Sequence, residues 1–109
     1  MPSDEFAPEQ IGRLVILIGK PFTDPTVTHS HVNAPEGNRR EVAFRIVDSN
    51  GTTTTLCIGW EVSDDGQNDW KELERLVENA ASSMRATYYG ESFRLAPAGL
   101  EPYSAPEGH

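Results

Sequence analysis

Between Glu41 and Val62, apolar and polar residues alternate with period two, stop at Ser49-Asn50-Gly51, and resume. Val42, Phe44 and Ile46 form one apolar set; Leu56, Ile58, Trp60 and Val62 form another. Ala43, Arg45 and Val47 alternate with the first set, and Cys57, Gly59 and Glu61 with the second. This alternation predicts two strands, each with one face toward a core. A two-residue Asn50-Gly51 turn would set Phe44 opposite Cys57 and point the apolar sets to opposite faces. A three-residue loop, Ser49-Asn50-Gly51, instead pairs Asp48 with Thr52, Phe44 with Leu56 and Val42 with Ile58. A slip of one residue turns a whole strand over, so burial selects the second register. Gly51 then takes the left-handed position of a bulged turn.

After the second strand the period changes. Trp70, Leu73, Leu76, Val77, Ala80, Ala81, Met84 and Tyr88 recur at helical spacing, with Lys71, Glu74, Arg75, Glu78 and Ser82 on the other side. Residues 64–69, Asp-Asp-Gly-Gln-Asn-Asp, read as loop and cap. Asn68 or Asp69 can accept from the free N–H groups of the first turn, and Asp69 and Glu72 suit its positive end. The expected helix covers about 68–88, stops at Gly90, and lies on the face of Phe44, Leu56, Ile58 and Trp60. The run Leu14-Val15-Ile16-Leu17-Ile18 is apolar on both strand faces and short. It reads as a central strand, with a helical turn over Ala7–Gly12 before it. Ser92-Phe93-Arg94-Leu95 gives a weak further strand. The expected fold class is α+β: a small antiparallel or mixed sheet of three to four strands, with one long helix packed on one face.

A chain of 109 residues fits one domain. Its expected extent is 11–95, with Pro-, Glu- and Ser-rich tails at 1–10 and 96–109. Residues 21–40, with Pro25, Pro35 and Gly37, read as a long connection, a kind of segment that is usually functional or disordered. No stretch reaches the ~18 apolar residues of a membrane span. The acidic N-terminus does not resemble a signal peptide, and the single cysteine, Cys57, allows no internal disulfide. A cytoplasmic location is expected. Asn50-Gly51-Thr52 matches a glycosylation sequon, but no secretion signal supports its use.

Seventeen acidic residues against nine basic give a net charge of −8. That field repels a phosphate backbone and favours basic partners. The order of a helical turn, three strands and a helix resembles the double-stranded-RNA-binding fold in topology alone. That resemblance would imply a basic helix start facing phosphates. Here the corresponding segment runs from Asp64 and Asp65 to Asp69 and Trp70, so no direct nucleic-acid binding is expected and no family is assigned.

Candidate chemistry is sparse. His29-Ser30-His31 places two imidazoles on one side of an extended strand, short of the three or four ligands of a zinc site; Asp24 and Glu36 are near only in sequence. Cys57 could be a nucleophile, but its strand position suits a small packed side chain. Arg39, Arg40 and Arg45 form a local basic group suited to hairpin solubility. Neither a catalytic residue, a metal site nor a cofactor is expected. The sheet face away from the helix carries Val15, Leu17, Ala43, Val47 and Cys57, too apolar for open solvent. Either the 21–40 segment or another subunit should cover it. Function is therefore expected through protein contacts, as an acidic adaptor or inhibitor, with candidate contact residues Val15, Leu17, Val47, Asp64, Asp65, Asp69 and Glu72. The expected partner is a protein with a basic surface, or a second copy of the chain. Alternatives are a self-associating structural or virion assembly component, and a small metal-dependent or hydrolytic enzyme using the 21–40 loop.

Overall fold

The computed structural model describes residues 6–33 and 40–103, with the side chains of all of these except 65–67. The element order is α1 (Pro8–Gly19), β1 (Thr26–Asn33), β2 (Arg40–Val47), β3 (Thr53–Ile58), α2 (Trp60–Asn68), α3 (Trp70–Ala86), β4 (Ser92–Ala96) and β5 (Gly99–Pro102). The five strands lie in sequence order in one mixed sheet. β3 and β4 are parallel, joined by the crossover through α2 and α3, and the other neighbours are antiparallel. The class is α+β, and the described residues form five strands rather than three to four and three helices rather than one.

The β2–β3 hairpin has the register selected by burial: Phe44 faces Leu56, Val42 faces Ile58 and Val47 faces Thr53. The loop closes as expected. The Gly51 N–H donates to the Asp48 carbonyl (2.9 Å) and the Asp48 N–H to the Thr52 carbonyl (3.2 Å). Gly51 sits at φ 78°, a conformation that costs glycine little. The Asp48 carboxylate accepts from the Asn50 N–H (3.0 Å), the Thr52 N–H (3.2 Å) and the Tyr89 hydroxyl. That last bond ties the turn to the chain leaving α3.

The run 14–18 is not a strand. It belongs to α1, where Ile11, Leu14, Leu17 and Ile18 are buried and Ile16 is 62% exposed. That is a 3.6-residue period, and it was obscured because Val15 and Ile16 fill the gaps with apolar side chains. The start of the helix has its own local cause. Pro8 takes the first helical position, where its missing N–H is no loss, and the Ala7 N–H donates to the Gln10 side chain (2.8 Å). Val15 and Leu17 therefore lie on a helix and not on the sheet.

Three further expectations change. The 21–40 segment contains β1, which pairs with β2 from Thr26↔Val47 to Asn33↔Arg40; residues 34–39 lie outside the described residues. The second strand stops at Ile58, and Trp60, Glu61 and Val62 open α2. Gly59 marks the change of direction: a Cβ there would stand 2.6 Å from the Leu95 carbonyl oxygen, a clash that excludes a side chain. Asp64 and Asp65 thus sit in a helix rather than a loop. Finally, β5 falls inside the expected tail 96–109, and Phe6, inside the expected tail 1–10, is buried in the core.

α3 follows the expectation closely. Asp69 is the N-cap and accepts from the Glu72 N–H (3.3 Å). Leu73, Val77, Ala80, Ala81 and Met84 form its buried stripe. α1 packs beside α3 and against β1 and β2, while α3 packs against β3 and β4. The core between helices and sheet holds Leu14, Ile18, Phe44, Ile46, Leu56, Ile58, Leu73, Val77 and Met84.

Candidate functional site

The other face of the sheet is organised around one guanidinium. In register, Ser30, Ala43, Cys57, Arg94 and Glu101 form a single row across all five strands. Ala43 and Cys57 are small, which leaves space over the middle of the row. Arg94 fills it: its Nε donates to both oxygens of Glu41 (3.1 Å each), its Nη2 also to Glu41 and to Glu61 (2.8 Å), and its Nη1 to Glu101 (3.4 Å). The Glu41 side chain is fully buried and that of Arg94 almost so.

Glu41 does more than pair. Its second oxygen accepts from the Trp60 N–H (2.9 Å), at the first residue of α2. A carboxylate on β2 thereby serves the free N–H groups and positive end of a helix that begins nineteen residues later in the chain. Burial alone would raise the Glu41 pKa; the Arg94 guanidinium and the Trp60 N–H outweigh it and hold the carboxyl below its ordinary value. Arg94 is correspondingly fixed in its charged form.

The Cys57 thiol donates to Glu41 (3.5 Å). Burial first, and the Glu41 charge second, push its pKa far above the usual thiol range. Fully buried between Ala43 and Arg94 in the row, Cys57 fills the sheet as a packed side chain. Tyr103 is anchored by its N–H to the Ser92 carbonyl (3.1 Å), and burial beside Cys57 and Glu41 pushes its phenol up to about 12. The ionisable groups of this face stabilise one another and the strand-to-helix junction.

The residues expected to make contacts are not brought together. Leu17 is buried in the core and Val15 packs partly against it, both on α1. Val47 is half-buried at the end of β2. Asp64 is half-exposed on α2, and the side chain of Asp65 lies outside the described residues. Asp69 is engaged as a cap, and Glu72 is bound by Arg75, which lowers its pKa by direct hydrogen bonding. The described part of 21–40 extends the sheet at its edge, and the Glu41–Arg94 network occupies the area over Ala43 and Cys57.

Two exposed features were not foreseen. The first is Ile16, the one large hydrophobic side chain that stands open among the described residues. It lines a groove between α1 and α3 with Arg13, Lys20, Lys71 and Arg75. Three of these cations are held by α3 carboxylates: Arg13 by Glu74 (2.9 Å), Lys20 by Glu78 (3.0 Å) and Arg75 by Glu72. The sequence signal was the helical spacing of Arg13, Ile16 and Lys20, visible only once the segment is read as a helix.

The second is β1 itself. His29 and His31 share a side of the strand, as expected, with ring centroids 6.3 Å apart, and His29 lies against Phe44. Among the described residues no group of three His, Cys, Asp or Glu side chains is arranged to hold a metal ion. None of the helices among them is long and apolar enough to cross a membrane.

No protein-family model, curated protein or solved structure matches this chain.

Proposed function

We propose that this chain is a non-enzymatic binding protein that acts through protein contacts, as a small acidic adaptor or inhibitor in the cytoplasm. The observation that carries this reading is the open Ile16 in the lining of a charged groove. An isolated apolar side chain ringed by cations and carboxylates resembles the anchor and rim of a contact surface. The disposition of the reactive groups supports the same reading: Cys57 is held as a thiol, and Glu41 and Arg94 neutralise one another away from solvent. The net charge of −8 favours a partner that brings basic groups.

Affinity capture from the native host tests this with two sets of substitutions. Ile16→Glu should reduce capture of a partner by at least tenfold while the helical circular-dichroism signal is kept. Asp64→Lys with Asp69→Lys should weaken capture in the same direction as added salt, since exposed charges are screened beyond about 8 Å at physiological ionic strength. A protein that captures no partner, or one whose partner is indifferent to both sets, would overturn the reading.

A further inference from the structure

The two edges of the sheet are unequal. β5 is four residues long and ends in Pro102, with Glu101 beside it. Shortness, proline and charge are the means by which proteins keep a sheet edge from pairing with another chain. β1 has none of them. It runs for eight residues, Thr-Val-Thr-His-Ser-His-Val-Asn, with no acid, lysine, arginine or proline. Its register against β2 is continuous over all eight positions, so no bulge turns the edge away. Among the described residues it has a strand on one side only.

We propose that β1 is the interface of a homodimer, in which β1 pairs antiparallel with β1 of a second copy and joins two sheets into one of ten strands. Three observations select a second copy. Eight residues span about 27 Å of strand, enough for a full ladder of main-chain hydrogen bonds. An antiparallel strand pair is self-complementary about a two-fold axis normal to the sheet, and therefore closes as a dimer rather than growing into a filament. Charge gives the third reason. Two chains of net charge −8 repel wherever their acids meet, and β1 is an eight-residue stretch free of carboxylates and of lysine and arginine. The axis keeps both helical layers on the same side of the joined sheet. Opposed residues share a face, so even-numbered residues meet even-numbered ones across the axis, and His29 and His31 from both copies gather on the helical side. The contact does not involve the α1–α3 groove, so it stands or falls separately from the adaptor reading.

Sedimentation equilibrium of the full chain should give twice the 12.0 kDa chain mass. Thr28→Lys with Ser30→Lys places like charges across the axis on exposed positions and should return the mass to that of one chain, with circular dichroism unchanged. Ile16→Glu should leave the dimer intact. Single cysteines at Thr28, Ser30 or Val32 should give a disulfide-linked dimer under mild oxidation at one or two of these positions and none at Ile16→Cys; Cys57 is buried and does not compete. Should the lysine pair disturb folding, hydrogen exchange on the unaltered protein decides the question, because pairing protects the outward amides of β1 and a free edge does not. A wild-type chain that stays monomeric at the concentrations of an NMR sample would overturn the proposal. So would a dimer that ignores the β1 lysines but dissociates with Ile16→Glu, or an edge occupied only by an extended segment of another protein.

Discussion

Replacing Arg94 with leucine is expected to destabilise the domain by about 3–5 kcal/mol, the usual cost of stranding one member of a buried ion pair. Glu41 would keep its charge in a site where its side chain is fully buried, with only the Trp60 N–H and the Cys57 thiol to meet it. The double variant Glu41→Met with Arg94→Leu should recover much of that loss, because neither charge is then desolvated and the apolar side chains fill similar volume. Equilibrium urea unfolding measures both; a single-variant loss below about 1 kcal/mol would place the pair in the class of solvent-screened surface bridges. Acidity supplies an independent check. The folded-state pKa of Glu41 lies below its ordinary value of 4.5. The pair therefore contributes fully above that value and loses its contribution as pH falls through the lower, folded-state pKa. The Tyr89 hydroxyl and the turn N–H groups lower Asp48 in the same sense, so wild-type stability should decline below about pH 4.5. In Arg94→Leu the unpaired, buried Glu41 has a raised pKa and gains from protonation. The gap between variant and wild type should narrow on acidification, and a gap that widened would contradict the assignment.

What could be read from the sequence follows from how directly each residue's role depends on its neighbours in the chain. The β2–β3 register was legible because turn geometry and alternation act within twenty residues of one another and agree. The same is true of α3, whose N-cap Asp69 and apolar stripe are local. α1 was misread because five consecutive apolar residues carry no period; the deciding facts were Pro8 and the burial of Ile11, Leu14 and Ile18 against α3. β1 was missed because an edge strand buries almost nothing, so Thr-Val-Thr-His-Ser-His-Val-Asn shows no apolar face, although its β-branched residues were a usable signal. The Glu41–Arg94 network was beyond reach for a different reason. Its members stand 53 positions apart in the chain, and their meeting depends on the parallel β3–β4 pairing, which no local pattern encodes. Gly59 carried a hint: a glycine directly after an apolar strand marks close backbone approach as well as a strand end.

Phe44→Ala is expected to cost about 3–5 kcal/mol, the range for removing a phenyl ring from a packed core. The ring is fully buried, faces Leu56 across the hairpin, and meets His29 on β1 with centroids 6.2 Å apart. No surface residue can collapse into the space it leaves, because β1 and β3 hold their positions through ladders on both sides of β2. Against a total stability of about 5–15 kcal/mol for a domain of this size, the variant should melt many degrees lower and unfold at markedly lower urea. Arg45, the next residue, is exposed on the other face, and Arg45→Ala should change stability by no more than about 0.5 kcal/mol. The contrast between adjacent positions is the diagnostic, since it depends on which face each side chain takes and hence on the three-residue turn at Ser49-Asn50-Gly51. Equal costs at 44 and 45 would mean the strand is not half-buried, and a larger cost at Arg45 would mean the hairpin is paired one residue out of the register described.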